Sequence, residues 1–424
     1  MSETLAAQPA QDTAAPTLLQ RILDPSSRAD PYPLYEILRE RPVWEEPDGV
    51  YVTGRYEHVA GLIRDPRLSA EPPSAGVGPG LSFLQMDPPR HDRLRRMTNR
   101  HFGPPNDPDR VDSMAPALEL AVERLIDQFR GRDPIDVVSG LSYPLPVTVI
   151  ADLLGVPRED EPRFHGWAEA IVQATDRDPR QPRSRSEGAE RAFQELAGYM
   201  FGLISARKGA PRDDMLSRLV NDESPEGPMA PDELIAVSVL LLLAGHETTV
   251  NLISNGLLTM LRFPHLMERL KNEPQVAPAF VEEVLRYEPP VHFTSRTTLC
   301  EIEVDGVVIP EGATIQLMLA SANRDPRRFS APELFDPDRR NNQHLGFGSG
   351  IHACFGAPLA RLEGQIALRA LARRLVSPRL AQDPPPYRFN PSLRGPRELV
   401  ITVDGVIDGS DPAPAIRSAR GRSG

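Results

Sequence analysis

Residues 347–356 read Phe-Gly-Ser-Gly-Ile-His-Ala-Cys-Phe-Gly, and a helical pattern follows at once as Ala-Pro-Leu-Ala-Arg-Leu-Glu-Gly-Gln-Ile-Ala-Leu. This order places Cys354 just before a helix N-terminus. Unpaired backbone N–H groups and the helix macrodipole favour an anion there, which is expected to lower the thiol pKa. Gly346, Gly348 and Gly350 let the preceding loop turn sharply and bring main-chain donors toward the sulfur. A thiolate so placed can bind iron and push electron density toward dioxygen on the metal. A lone cysteine is more often a small buried hydrophobe, and Cys300, at the edge of a strand-like run, takes that reading.

The rest of the chain limits what this loop can belong to. At 424 residues it exceeds the usual size of a single domain, and no long linker interrupts its middle, which favours one large fold around something big. The net charge of −11 argues against a nucleic-acid partner. Two cysteines exclude a disulfide framework and fit a reducing cytosol. The N-terminus lacks the basic start and apolar core of a secretory signal. The most apolar stretch, 234–244, is shorter than the ~20 residues of a membrane span. A cytoplasmic protein without a membrane anchor is expected.

Residues 1–20 and 407–424 read as flexible tails around one domain over 21–406. The 46 prolines gather at junctions such as 30–33, 71–73, 87–89 and 288–290, where they stop helices without breaking interiors. Between them, helical patterns run over about 110–130, 187–207, 231–262, 276–287 and 356–376. Strand-like runs occur near 49–53, 300–309 and 398–403, the middle one turning at Asp305-Gly306. The fold class is mainly α with small peripheral β-sheets.

Two further motifs accompany the cysteine loop. Residues 244–249 read Ala-Gly-His-Glu-Thr-Thr inside the longest helical pattern. At about 100° per residue, Leu240, Ala244 and Thr248 share a face. The small pair Ala244-Gly245 admits a flat ligand closely, Thr248 can hydrogen-bond back to a carbonyl, and Glu247 beside it can relay protons. The second motif, Glu283-Val-Leu-Arg286, sets opposite charges at i, i+3. Most such pairs are surface decoration, but this one lies 71 residues before Cys354.

The pattern Phe-Gly-x-Gly-x-x-x-Cys-x-Gly resembles the haem-binding signature of the cytochrome P450 family, and the other two motifs agree in order and spacing. The resemblance covers about residues 20–405. It implies the cytochrome P450 fold, a large helical domain with small peripheral β-sheets enclosing haem b, with Cys354 as axial ligand and Phe347, Gly348 and Gly356 around the cofactor. Ala244, Gly245, Glu247 and Thr248 match the oxygen-activating helix. Glu283 and Arg286 match a structural network that Arg339 closes. His91 and Arg95, roughly 40° apart on a helical wheel, together with Arg296 and His352, are implied as haem propionate partners. Arg93, Arg96 and Arg100 fall on the opposite face and would form an exposed basic patch for docking a small acidic electron carrier.

The implied reaction inserts one atom of dioxygen into an apolar or aromatic small molecule of natural-product type. Electrons come from NAD(P)H through ferredoxin reductase and ferredoxin, and protons pass Glu247 and Thr248. By position, the pocket draws on Phe83, Leu84, Leu240, Leu241, Val291 and His292, the last being either a substrate contact or a surface imidazole. The segment 170–188 reads as a mobile lid. A peroxide-driven peroxygenase would be expected to lack the Glu247-Thr248 pair. A haem sensor or recruitment protein would be expected to lose Thr248 or the Glu-x-x-Arg motif.

Overall fold

The computed structural model describes residues 15–71, 82–103, 108–176, 186–225 and 227–409. Its central element is the helix Pro231–Arg262, about 48 Å long at the standard rise. Pro231 occupies its first turn with Asp232 and Glu233, and Glu233 accepts from the Ala230 N–H (2.9 Å). Its last residues give way to Phe263 and Pro264, which cannot continue the ladder. Every residue from Thr249 to Met260 is buried, so this helix has no solvent face over three turns. By length and composition it could cross a membrane, but most of it lies inside the protein. Its neighbours are the helices Pro144–Leu154, Ser186–Gly209 and Ala357–Arg374. The last approaches so closely that a Cβ on Gly256 would stand 2.6 Å from Leu368 Cδ1.

The expected helices appear as Ser186–Gly209, Pro231–Arg262, Ala277–Tyr287 and Ala357–Arg374, while the 110–130 pattern divides into Pro108–Asp112 and Ala115–Asp127. The sheets are small and peripheral. The largest has five strands in the order Trp44–Glu45, Tyr51–Thr53, Thr314–Leu317, Thr294–Thr298, Leu68–Ser69. Tyr51–Thr53 runs parallel to Thr314–Leu317 with Val52 opposite Gln316, and the other pairings are antiparallel. The hairpin Ile302–Val304/Val307–Ile309 turns at Asp305 (φ 48°) and Gly306 (φ 80°), the left-handed pair that a two-residue turn demands.

The N-terminal boundary differs from expectation. A helix, Leu18–Leu23, begins inside the segment read as a tail, because Thr17 and Gln20 form a capping box and Leu18, Leu19 and Ile22 are buried. At the other end Ile407 exchanges hydrogen bonds with Arg374.

Glu283 and Arg286 stand in the core with no exposed surface. Arg286 holds both Glu283 oxygens (2.6 and 2.8 Å) and donates to the carbonyls of Asn323, Pro332 and Leu334. Glu283 also accepts from Arg339 Nε (3.1 Å), Asn342 Nδ2 (3.1 Å) and the Asp336 N–H (2.9 Å). The ion pair therefore ties the helix Ala277–Tyr287 to the irregular 323–342 segment ahead of the cysteine loop.

Candidate active site

The cysteine loop is built by its glycines. Gly348 (φ 65°) and Gly350 (φ 73°) sit in the left-handed region. The loop closes on itself where the Cys354 N–H donates to Phe347 O (2.8 Å). Phe347 is fixed from outside by the Arg361 guanidinium, 4.6 Å from its ring centre. Gly356 caps the helix Ala357–Arg374, and the Gly356 and Ala357 N–H groups point at the sulfur.

The thiol differs from expectation. Burial pushes its pKa up, and the opposing Gly356 and Ala357 N–H groups, Arg361 and Arg95 do not overcome it. A helix end offers partial charges, whereas a thiolate surrounded by protein loses most of its hydration. Yet Cys354 keeps accessible surface, so its side chain looks into a recess. A coordinated cation there would favour the thiolate outright.

Ala244 is exposed and Gly245 and Thr248 are half-buried, although they lie in the most deeply packed helix. Thr248 Oγ1 donates to Ala244 O (2.6 Å), as the sequence suggested. Leu240 and Leu241 are buried on the preceding turn. Glu247 is buried, its Oε1 has no hydrogen-bond partner, and burial raises its pKa to about 7.

The basic candidates converge. The His91 and His352 ring centres are 4.4 Å apart, and His352 also feels the charges of Arg296 and Arg95. Burial, with these cations, pushes the His352 pKa down to about 4. His91 Nε2 and both ring nitrogens of His352 are buried without hydrogen-bond partners, while His91 Nδ1 meets Asp92 (2.8 Å). Arg95 donates to Ile351 O and Ala353 O, each at 2.6 Å. Arg296 donates to Thr294 Oγ1 and Ser295 O. Burial depresses both guanidinium pKa values. Two imidazoles with orphaned nitrogens, gathered with two guanidinium groups, call for anionic oxygens.

Several expected placements are corrected. Arg93 pairs with Glu233 (2.8 Å) and Arg100 with Asp222 (2.9 Å), so two of the three residues of the supposed basic patch are spent on internal ion pairs. Phe83 has no exposed surface and packs against His91 and Phe355, which makes it a plug behind the cysteine loop. Leu84 beside it is exposed. His292 is not a surface imidazole. Its Nδ1 lies 2.7 Å from Tyr35 Oη, its ring neighbours are Tyr32 and Tyr35, and its backbone is pinned by Ser392 and Ala320. Val291 is half-buried and bridges to Leu393. Of the segment 170–188 read as a lid, residues 177–185 lie outside the described residues.

Sequence reasoning missed Arg388, which stands between Glu247 and Asp176 in the interior, Asp176 itself, and Tyr143, whose ring stands 4.4 Å from that of His246. His246 was within a recognised motif. The other three carry no local signal.

The recess suits a group with a flat apolar body, an electrophilic metal facing a sulfur, and an acidic edge. The orphaned imidazole nitrogens, the accessible Cys354 and the bare Ala244 fit haem. Comparison with known proteins agrees, since the cytochrome P450 family profile matches residues 52–400. The chain belongs to the cytochrome P450 family. This P450 is 38% identical to cytochrome P450 monooxygenase PikC of Streptomyces venezuelae, over 92% of this chain and 95% of that protein. It is 34% identical to 6-deoxyerythronolide B hydroxylase of Saccharopolyspora erythraea, over 84% and 91%. Its fold matches the structure of CYP109Q5 from Chondromyces apiculatus with a TM-score of 0.83 at 31% identity, covering 91% of this chain and 98% of that one. The P450 is thus a monooxygenase of a family that carries haem on a cysteine thiolate and uses dioxygen, redox partners and small substrates.

Proposed function

We propose that this P450 hydroxylates an apolar or aromatic natural product in the cytoplasm, on a haem ligated by Cys354, with electrons from NAD(P)H through ferredoxin reductase and ferredoxin. The observation that carries the reading is the pairing of an accessible Cys354 with orphaned nitrogens on His91 and His352 at one recess. The relationship to a 6-deoxyerythronolide B hydroxylase supports a secondary metabolite as substrate.

Bound there, the haem supplies the activation of dioxygen. Cys354 holds the metal, and the Gly356 and Ala357 N–H groups temper the charge on its sulfur. His91, Arg95, Arg296 and His352 hold the propionates. Arg95 would share its guanidinium between a propionate and the Ile351 and Ala353 carbonyls, and so would tie the cysteine loop to the cofactor. Ala244, small and exposed, would leave room for the cofactor, and Leu240 and Leu241 would supply apolar surroundings. Glu247 exchanges a proton near neutral pH, and Thr248 passes it on from the recess side of the helix. Glu283, Arg286 and Arg339 form the structural network. We infer one domain over 21–406 between two tails, extended at its N-terminal end to include the helix that begins at Leu18.

The test is the absorption spectrum of the dithionite-reduced protein with carbon monoxide. A strongly red-shifted Soret band is expected, and haem binding without that shift would remove Cys354 as ligand. Replacing Arg296 with Ala is expected to speed haem transfer to apomyoglobin roughly tenfold or more, since a charge-assisted hydrogen bond is worth about 1.5–3 kcal/mol. Thr248→Ala is expected to keep the thiolate spectrum while product formed per NAD(P)H drops by roughly tenfold, the balance appearing as peroxide. Full coupling in that variant would refute the role of Thr248.

A further inference from the structure

Arg388 lies in the irregular stretch after the cysteine helix, and its side chain is 8% exposed. Its Nη1 stands 3.9 Å from Glu247 Oε1 and 4.0 Å from Asp176 Oδ2, and its Nε has no hydrogen-bond partner. Asp176 follows directly on the helix Glu161–Thr175 and is itself held by the Asn390 N–H (2.9 Å). The side chains of Glu247 and Asp176 are 4% and 7% exposed. One buried guanidinium is thus shared between two buried carboxylates, neither close enough for a direct bond. The separations are those at which a water bridges or a side chain moves between partners.

We propose that Arg388 is the positioning residue for Glu247, and that Asp176 competes for the same guanidinium and so sets how firmly Glu247 holds its proton. The inference rests on the monooxygenase reading above, where Glu247 is the proton donor. Its physical basis is charge balance. With both carboxylates ionised, the trio carries one uncompensated negative charge in a region of low dielectric, which is costly. A single proton restores neutrality. Glu247 is where burial favours it, Arg388 opposing and Asp176 reinforcing the effect. A carboxyl poised near neutrality both gives and accepts a proton at little cost.

The other titratable neighbours do not share this charge. Tyr143 is held neutral by burial and by Glu169 on the Glu161–Thr175 helix. His246 is pushed down to about 3 by burial and by Arg388. His165, on the same helix as Glu169, is likewise lowered by burial. Tyr143 and His246 therefore stay uncharged around neutral pH, and burial favours the neutral form of His165, so Arg388 and Asp176 govern Glu247.

The two partners act with opposite sign, and that separates positioning from mere packing. In the haem-loaded protein, the infrared band of the protonated Glu247 carboxyl is assigned by its loss in Glu247→Gln and titrated. Arg388→Gln removes a cation that favours the carboxylate, so the midpoint is expected to rise by about one pH unit. Asp176→Asn removes an anion and frees the guanidinium for Glu247, so the midpoint is expected to fall. Arg388→Lys should bring it back toward the parent value. Arg388→Gln should also raise the share of dioxygen released as peroxide several-fold. Equal midpoints in all variants, or shifts of the same sign in Arg388→Gln and Asp176→Asn, would overturn the proposal. Should Arg388→Gln fail to fold, a midpoint in Asp176→Asn that does not fall overturns it alone. The carbon monoxide spectrum reports separately on the thiolate ligand, and the carboxyl titration of the haem-loaded protein is read whether or not the red-shifted band appears.

Discussion

Cys354→Ser is expected to yield a folded protein whose reduced carbon monoxide complex lacks the red-shifted Soret band and whose monooxygenase activity falls to background. The hydroxyl is close in size to the thiol, and the backbone closure from Cys354 N–H to Phe347 O is untouched, so the loop keeps its shape. What changes is the donor. Burial already pushes the Cys354 thiol above its ordinary value, and only the attraction of a metal cation draws the proton off. A serine hydroxyl is far less acidic and stays protonated, leaving a neutral oxygen that donates too little electron density to assist cleavage of the O–O bond. Circular dichroism should match the parent protein while the spectrum and turnover do not. A variant that retained the red-shifted band would place the ligand elsewhere, and Cys300 is the other cysteine in the chain.

The second large effect is structural. Glu283→Ala is expected to cost about 3–5 kcal/mol, the range for removing one member of a buried ion pair, against a total stability of about 5–15 kcal/mol for a typical protein. The carboxylate accepts from Arg286, Arg339, Asn342 and the Asp336 N–H. Its loss strands the Arg286 guanidinium, which has no exposed surface, beside a second cation from Arg339. Removing Arg286 as well should not restore stability, although replacing both charges of a buried pair with apolar residues is often neutral. Here Arg286 also satisfies the carbonyls of Asn323, Pro332 and Leu334, which would then be left bare. Urea denaturation of the haem-loaded single and double variants would read this directly. A double variant as stable as the parent would show that the carbonyls find other donors.

The contacts of Glu283 also explain why this i, i+3 pair is structural. On a helix surface such a pair contributes little. Its value here comes from the 323–342 segment folded over it, which the pair anchors ahead of the cysteine loop.

Wherever a short stretch of backbone sufficed, the sequence alone determined the outcome. The glycine loop, the cap at Gly356 and the helix behind it follow from local stereochemistry, and Gly348 and Gly350 take the left-handed conformations that other residues resist. The long helix was legible because Pro231 starts it, Pro264 stops it and no proline interrupts the apolar pattern between them. The Thr248 bond to Ala244 O is likewise local. By contrast, the helix Pro144–Leu154 was not read, because its Pro, Val and Ile content has low helical preference and its helical state depends on packing against the long helix.

Charges were the least legible. Arg93 and Arg100 belong to the same helical face that the wheel assigned to solvent, yet Glu233 and Asp222, more than a hundred residues away, neutralise them. The proton affinities of Cys354, His352 and Glu247 are set by burial before any partner acts, and burial is a property of the assembled interior. The meeting of Glu247 with Asp176 and Arg388 brings together three segments widely separated in the chain. Which residues can carry the chemistry is written in local motifs. How strongly each holds its proton is decided only when folding removes water and brings distant charges within a few ångströms, where Coulomb forces are no longer screened.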